Sequence, residues 1–253
     1  MTITYFPPNP ITINDYTTSA APWFVQVARG LVPNTSIVNI FGYQANVTGT
    51  AGIPVWENAT TYTFPVTAAQ LTIVSTSTSD TSAKSVLIQG LDSAYNQISE
   101  VIALNGTVAV TSVNSYLRVN FVTFTNSINV GTITFKQSTN IVAQINPGIG
   151  KNQAAIYTVP AGYTFYGMRF TGFSNEAGGG SNYTTWVANV KNATTGQNFL
   201  VAQAPFFVPY NIARIIPFTY AEKFDVQWQL ATGTGSSPCS VNVEAFLISN
   251  TAA

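Results

Sequence analysis

The chain has 253 residues, of which 46% are hydrophobic and only 7% are charged. Soluble domains usually carry about 25% charged residues, so Thr, Ser, Asn and Gln supply most of the polar groups here. This composition excludes disorder caused by low hydrophobicity, and it favours β-structure because Thr, Val, Ile, Tyr and Phe suit a pleated, half-buried surface.

The charge balance excludes one class of partner. Nine basic residues offset nine acidic ones, and neither set is clustered. A nucleic-acid binder would need a basic stripe to neutralise phosphates, so we expect no nucleic-acid partner. A neutral surface also lacks the repulsion that keeps proteins apart, which favours association with copies of the chain or with a large partner. A neutral monomer is the alternative.

Few residues offer catalytic or metal chemistry. The chain has no histidine and a single cysteine, Cys239, which excludes the usual Ser-His-Asp and Cys-His arrangements, histidine metal sites and an internal disulfide. Glu222 and Asp225 are the closest acidic pair, but on a strand they would point to opposite faces, so we interpret them as solvated charges. Asp92 to Asn96 offers too few oxygens for a calcium loop. We therefore expect no enzyme, no cofactor and no metal.

Membrane and secretion signals are not recognised in the sequence. The apolar runs fall short of the ~20 residues that span a bilayer. The first residues lack a basic region followed by an apolar core, so no signal peptide is predicted. We expect no membrane partner, and we expect synthesis and assembly in a cytoplasm.

Residues 1–22 are predicted to form an extended arm. Prolines in this stretch fix φ and remove backbone donors, which argues against a central strand. Such an arm is either pinned on a neighbour or a frayed terminus, and both interpretations stay open. Its candidate interface residues are Tyr5, Phe6, Pro7 and Pro8.

The first half of the chain reads as a series of short strands. A hairpin is predicted over residues 86–106, where two apolar-rich runs flank the polar segment 90–97. Residues 115–125 alternate without a fully polar face, so this strand is expected to be covered on both sides or to lie at an interface. The other strand candidates are residues 23–28, 36–42, 71–75, 132–136 and 141–145.

The second half follows a candidate linker at residues 146–152, where one proline and two glycines interrupt regular structure. Its strand candidates are residues 154–159, 163–171, 183–190, 223–230 and 241–248, with a flexible loop at 177–182. Pro205, Pro209 and Pro217 should confine their segments to edges, bulges or loops. One continuous sandwich with a long loop is the alternative to a division at this linker.

No helix pattern with apolar spacing i, i+3, i+4 and i+7 stands out in the chain. We therefore predict an all-β fold of antiparallel sandwich or jelly-roll-like modules with an extended N-terminal arm. Two modules are expected, and the domains are 1–22, 23–146 and 147–253.

Two further segments are candidate contact surfaces. The tip of the hairpin would be an exposed knob, and the proline-aromatic stretch would be a second surface, with an inward-packed loop as its alternative. Aromatic side chains could instead stack on sugars, although core packing is the default for them. The interface candidates are Asp92, Tyr95, Asn96, Pro205, Phe206, Phe207, Pro209 and Tyr210, and the sugar-stacking candidates are Trp56, Tyr163, Tyr166, Tyr183 and Tyr210.

Motifs over roughly residues 71–170 resemble virion structural proteins of short-tailed, T7-like marine bacteriophages. The motifs are Gly-Leu-Asp at 90–92, Leu-Asn-Gly-Thr at 104–107, Tyr-Leu-Arg at 116–118, Val-Gly-Thr-Ile at 130–133 and the start of a second β domain at 155–163. Such modules are reused in head and tail proteins alike. The first 60 residues carry no matching motif.

The resemblance implies a non-enzymatic capsid decoration or cement protein on the exterior of the virion. Its expected partners are the major capsid protein and copies of itself, as a homo-oligomer with a trimer favoured. An arm could add its backbone to a neighbour's sheet edge. The rival hypothesis is a tail-fibre or knob adhesin that binds host surface glycans. A bacterial surface-layer or pilus-like subunit is a third, disfavoured by the missing signal peptide.

Overall fold

A computed structural model describes residues 21–48, 52–58, 61–174, 184–192, 195–196, 198–206, 210–232 and 236–251. The side chains of 48, 184–192, 198–206, 210, 232 and 236–237 are outside this description, as are the predicted arm residues 1–20 and the predicted loop 177–182. The helix α1 spans Trp23–Ala28. The strands are β1 (Thr35–Thr48), β2 (Ile53–Pro54), β3 (Ala69–Ser75), β4 (Ser85–Leu91), β5 (Gln97–Ala103), β6 (Val110–Tyr116), β7 (Arg118–Phe124), β8 (Ile133–Gln137), β9 (Asn140–Ile145), β10 (Ile156–Thr158), β11 (Tyr163–Ser174), β12 (Thr184–Asn192), β13 (Asn198–Phe206), β14 (Tyr210–Tyr220), β15 (Phe224–Thr232) and β16 (Ser236–Ser249).

The predicted all-β fold is confirmed, and the strand pairs are antiparallel. Two sheets run in the orders β1-β16-β11-β14 and β10-β15-β12-β13, with β2 added to β15. Two further sheets run β6-β3-β8-β9 and β5-β4-β7. Apolar residues alternate along these strands, so each sheet presents one buried face to a partner sheet.

Two large hydrophobic cores fill the space between these sheets, and a third, small cluster contains Trp56, Tyr62 and Ile156. The terminal core is built from both ends of the described chain and contains buried residues of 38–55 and 155–247, with Phe165 and Trp228 fully enclosed. The central core is built from residues 71–145 and encloses Ile88 and Phe135. Each core draws on two sheets, which makes each a sandwich.

The strand pairs do not follow the predicted division of the chain at residues 146–152, because strands before that linker pair with strands after it. Thr35 of β1 pairs with Ile248 of β16, and Pro54 of β2 pairs with Gln229 of β15. Residues 35–54 therefore share sheets with the C-terminal half, while 71–145 form the central core between them. The domain bounds stay a prediction, but the first strand of the predicted N-terminal domain lies in the terminal core.

The predicted strand at residues 23–28 is wrong, because this segment is the helix α1. Pro22 precedes it with φ −52°, and its carbonyl accepts the N–H groups of Val25 and Gln26 at 2.8 and 3.2 Å. Trp23 and Val27 lie four residues apart, on one face of a helix. Val27 is buried, and the Trp23 ring packs edge-on against Phe246 at 4.6 Å. Because Trp23 and Val27 both pack toward the protein from one helix face, these contacts stabilise a helix rather than a strand here.

The single strand predicted over residues 115–125 is two strands, β6 and β7. Tyr116 pairs with β3, whereas Arg118 pairs with Leu91 of β4 in the other sheet. The chain changes sheets at Leu117, whose N–H donates to the Leu91 carbonyl at 2.7 Å. The expected cover on both faces is confirmed, since the consecutive residues Arg118, Val119 and Asn120 are all buried.

Prolines lie where their missing donors are tolerated. Pro205 lies in β13 and Pro217 in β14, the end strands of the two terminal-core sheets. An edge position fits the prediction, because a proline N lacks the hydrogen that a central strand must donate. Pro209 is outside the described residues.

Candidate functional site

The hairpin at residues 86–106 forms as predicted, with Leu91 paired to Gln97 across a five-residue loop. Asp92 organises this loop: its Oδ1 accepts the N–H groups of Ala94 and Asn96 at 2.8 and 2.9 Å, and its Oδ2 accepts Asn96 Nδ2 at 3.1 Å. Burial works to raise the pKa of Asp92, but these hydrogen bonds outweigh it and hold the pKa below its usual value. The sequence thus builds a rigid, self-bonded tip.

The tip is only partly an exposed knob. Ser93, Ala94 and Asn96 are exposed, whereas Tyr95 is half-buried with φ +68°. The Tyr95 carbonyl accepts the Ala161 N–H at 2.9 Å, and Ala161 belongs to the turn before β11. Tyr95 therefore ties the tip of a central-core hairpin to the terminal sandwich, while its neighbours face outward.

A buried ion pair joins the two sandwiches beside this tip. Arg118 of β7 donates from Nε and Nη2 to the two carboxylate oxygens of Asp225 on β15, each at 2.7 Å. The two side chains are 6% and 1% exposed. Arg118 Nη1 donates to the carbonyls of Pro65 and Leu117 at 2.6 and 2.9 Å, and Thr158 Oγ1 donates to Asp225 Oδ1 at 2.6 Å. A bidentate, water-excluded pair of this kind fixes geometry strongly.

Aromatic rings and a second polar pair complete the joint. The guanidinium of Arg118 lies 5.1 Å from the Phe64 ring centroid and 5.6 Å from that of Tyr95, within cation–π range. Asn120 and Thr158 exchange two hydrogen bonds at 2.9 and 3.0 Å. These contacts connect β7 to β10 and β15, so β7 lies where the two sandwiches meet.

The interpretation of Glu222 and Asp225 as solvated charges is wrong for Asp225, which is 1% exposed. Glu222 is exposed, and its Oε2 accepts the Gly162 N–H at 2.5 Å. Arg118 and Asp225 are separated by 107 residues, so no local spacing could pair them. The usable signal was an arginine in an otherwise apolar, alternating strand, which requires a buried anion.

Glu57, in the segment that follows β2, is another buried carboxylate. Glu57 Oε1 accepts the Gln153 N–H at 2.5 Å, while the enclosed Oε2 has no hydrogen-bond partner among the residues that the structure describes. Burial disfavours the charged form and raises the pKa of Glu57 to about 8. The neighbouring backbone is held by Gln144 and Gln44, which donate to the carbonyls of Glu57 and Trp56 at 3.4 and 2.9 Å.

Asp80 organises the loops at one end of the central sandwich. Its carboxylate is fully buried and accepts Ser75 Oγ at 2.6 Å, Lys84 Nζ at 2.9 Å, and the N–H groups of Val130 and Gly131 at 2.8 and 2.9 Å. Burial opposes ionisation, but these donors outweigh it and lower the pKa of Asp80 to about 2. Asp80 thus ties the polar segment 75–82 to the turn before β8.

The proline-aromatic stretch connects the edges of the two terminal-core sheets. Pro205 and Phe206 end β13, and Tyr210 begins β14; Phe207 and Pro209 lie outside the described residues. Further along β14 the register to β11 shifts, and the intervening Ile215 and Ile216 are 100% and 79% exposed. Two large apolar side chains at a sheet edge are typical of a contact surface.

A cleft of about 360 Å³ separates β1 from the central hairpin. Exposed Ser36, Gln89, Gln97 and Ser99 line it beside the half-buried ring of Phe121. Uncharged hydroxyls and amides beside an aromatic ring suit a neutral polar ligand. Of the proposed sugar-stacking residues, Trp56 is 1% exposed and cannot stack on a ligand.

The remaining sequence candidates are distributed over several elements. Tyr163 and Tyr166 are half-buried on β11, Tyr183 is outside the described residues, and so are Tyr5, Phe6, Pro7 and Pro8. The structure brings together Asp92, Tyr95 and Asn96, whereas Pro205, Phe206 and Tyr210 lie on other strands. Among the residues that the structure describes, no three acidic or cysteine side chains form a group able to hold a metal. None of the helices described has the length and hydropathy of a membrane span.

Comparisons with known proteins give no family. No protein-family model matches the chain, and no curated protein matches it. Among solved structures, the chain is similar to one of infectious bursal disease virus, strain Gt, at 9% identity and a TM-score of 0.22 over 92% of this chain and 79% of that chain. A mutant VP2 protein of the same virus, in derived T=1 particles, gives 8% identity and a TM-score of 0.22 over 91% and 76%. Likeness at this level carries no argument about function.

Proposed function

We propose that the protein is a non-enzymatic virion structural protein, a capsid decoration or cement protein that binds and stabilises a shell of major capsid protein from the outside. The observation that carries this proposal is the edge of β14, where Ile215 and Ile216 are 100% and 79% exposed on a strand that ends its sheet in the described part of the chain. The motif resemblance over residues 71–170 points to the same class of protein.

The interior of the molecule supports a scaffold role. Arg118, Asp225, Thr158 and Asn120 form a buried polar joint whose donors and acceptors bond to one another. Such a joint holds two sandwiches in one orientation without offering a reactive group to a substrate. A cement protein needs this rigidity, because its contacts must span neighbouring subunits at fixed spacing.

The surface supports close packing. Only 7% of the residues are charged, so copies can approach a shell and one another without strong repulsion. The edge of β14 supplies apolar area, and the outward residues of the hairpin tip supply polar groups; the N-terminal arm and residues 205–210 are further proposed contacts. Association with copies of itself, with a trimer favoured, belongs to the same proposal.

Cosedimentation with purified shells that lack the protein tests the proposal. The wild-type chain should pellet with the shells, and an Ile215→Asp/Ile216→Asp variant should bind at least tenfold more weakly because two charges enter an apolar contact. Val66→Asp is the matched control, since Val66 is 93% exposed and lies outside the strands. Failure of the wild-type chain to pellet, or equal loss in both variants, would reject the β14 contact.

The cleft beside the central hairpin favours a second candidate function, a tail-fibre or knob adhesin that binds host surface glycans. Exposed Gln89, Gln97 and Ser99 place amide and hydroxyl groups there, next to Phe121. Titration with neutral oligosaccharides of the host surface should then show binding that Gln97→Ala weakens. If wild type and Gln97→Ala give the same flat titration, the adhesin candidate is rejected.

A further inference from the structure

An apolar groove of about 490 Å³ runs across the outer face of the sheet β1-β16-β11. Its apolar lining includes Phe24 of α1, Ile37 of β1, Met168 of β11 and Phe246 of β16. The inner face of the same strands is buried in the terminal core, whereas Phe24 and Ile37 are 57% and 39% exposed. Apolar side chains lining a concave surface of this volume are typical of a binding site.

The charges at the groove are already paired. Arg169 and Glu244 line its end, with Nη1 and Oε1 3.7 Å apart. An occupant therefore needs no net charge to fit, and a charged one would gain little from a pair that is half exposed. A neutral, apolar polypeptide segment therefore suits the groove.

The N-terminal segment, residues 1–20, has this chemistry, and it joins the described chain three residues before Phe24 of the groove. Gln26 Nε2 donates to the Ala21 carbonyl at 2.8 Å, which fixes the first described residue against α1, three residues before Phe24. Asp15 is the only charged side chain among residues 1–20, and Tyr5-Phe6 is the most apolar pair, followed by two prolines.

Reach and entropy favour docking within the same chain. The fifteen residue steps from Phe6 to Ala21 span up to about 50 Å when extended, enough to reach any part of the groove. A tether of this length keeps the segment at an effective concentration on the order of millimolar, far above that of a second copy in dilute solution. Pro7 and Pro8 also restrict the free segment, which lowers the entropy lost on docking.

We propose that Tyr5 and Phe6 dock in cis in the groove between α1 and the outer face of β1, β16 and β11. The docked segment covers Phe24, Ile37 and Phe246 and holds the arm on its own sheet in the free protein. This inference goes beyond the proposed function, since it concerns the isolated chain and requires no shell.

Disulfide trapping in the full-length chain tests the proposal. In a Cys239→Ser background, Phe6→Cys is combined with Asn39→Cys, whose side chain is exposed and lines the groove. Phe6→Cys with Val66→Cys is the control pair, because Val66 is exposed and does not line the groove. Mild oxidation is followed on non-reducing gels, and circular dichroism confirms that each variant is folded.

The groove pair should form an intramolecular disulfide about tenfold faster than the control pair, as a monomeric band at all protein concentrations. Disulfide-linked dimers whose yield rises with concentration would show that the segment docks on a second copy and would overturn the proposal. Equal rates for the two pairs would overturn it as well, because the segment would then have no preferred site. Adding Phe24→Ala should slow the groove pair and leave the control pair unchanged.

Discussion

Replacing Arg118 by Met probes the joint between the two sandwiches. The substitution keeps an apolar stem among Phe64 and Tyr95 but leaves Thr158 Oγ1 as the one side-chain donor to Asp225 among the described residues. A carboxylate that is 1% exposed is then left without its cation. Breaking one side of a buried ion pair costs about 3–5 kcal/mol, so we expect a loss of this size in the free energy of unfolding.

Urea unfolding with two probes measures this loss. The four tryptophans all lie outside residues 71–145, so fluorescence reports on the rest of the chain, whereas far-ultraviolet circular dichroism reports on both sandwiches. The two transitions should coincide in the wild type and separate in Arg118→Met, because β7 and β15 lose their strongest link.

Two comparison variants isolate the cause. Arg169→Met removes an exposed ion pair with atoms 3.7 Å apart and should cost less than about 1 kcal/mol. Arg118→Met/Asp225→Leu should recover much of the loss, because no buried charge is left unpaired. If Arg118→Met costs no more than Arg169→Met, the reasoning about the joint is refuted.

Three more substitutions test other buried features. The pKa of Glu57 is about 8 in the folded protein and 4.5 in the unfolded chain, so the free energy of unfolding should fall by about 5 kcal/mol as the pH rises from 4.5 to 8. Glu57→Gln should flatten this part of a pH series of urea melts. The pKa of Asp80 is lowered to about 2, so its contribution of about 2 kcal/mol to the free energy of unfolding is present above pH 3.8 and is lost as the pH falls to 2. Asp80→Asn should abolish that acid dependence in the same melts. A Cβ on Gly42 would meet the Val55 carbonyl and the Ala155 backbone, so Gly42→Ala should cost about 3 kcal/mol by thermal unfolding.

Opposite outcomes are equally defined. A pH series of Glu57→Gln that follows the wild-type slope would show that another group titrates there. Acid melts of Asp80→Asn that still weaken below pH 3.8 would locate the effect elsewhere. Gly30→Ala is the control for Gly42→Ala: it has open space and a φ of +70°, so it should cost only about 1 kcal/mol. Equal costs at the two glycines would rule out the steric argument.

Much of the fold is predictable because strands with one buried face show a local alternation of apolar and polar residues. Phe224, Val226, Trp228 and Leu230 alternate in the sequence, and all four line the terminal core. The hairpin at 86–106 was predictable for the same reason, since its turn residues and flanking apolar runs are contiguous.

Features set by distant partners were not predictable. Thr35 and Ile248 pair although almost the whole chain separates them, and the local sequence around either residue does not indicate its partner. The helix at 23–28 is six residues long and is selected by contact with Phe246, so no helical repeat could develop. The change of sheet at Leu117 was hidden because β6 and β7 share one alternating pattern.

The candidate site shows the same division. Asp92 and Asn96 were identifiable as turn residues, and their hydrogen bonds are local. The Arg118–Asp225 pair and the buried Glu57 depend on how the two sandwiches meet. An ionisable residue inside an apolar stretch indicates that a buried partner exists but does not say which residue supplies it.

The central claim is that the protein belongs to a virus shell, and its copy number per purified particle tests this most directly. Quantitative gel densitometry against the major capsid protein gives the ratio. A decoration protein follows the symmetry of the shell, so the account predicts hundreds of copies per particle, in a fixed ratio to the capsid subunit. A count on the order of ten would instead follow the symmetry of a tail and would contradict it.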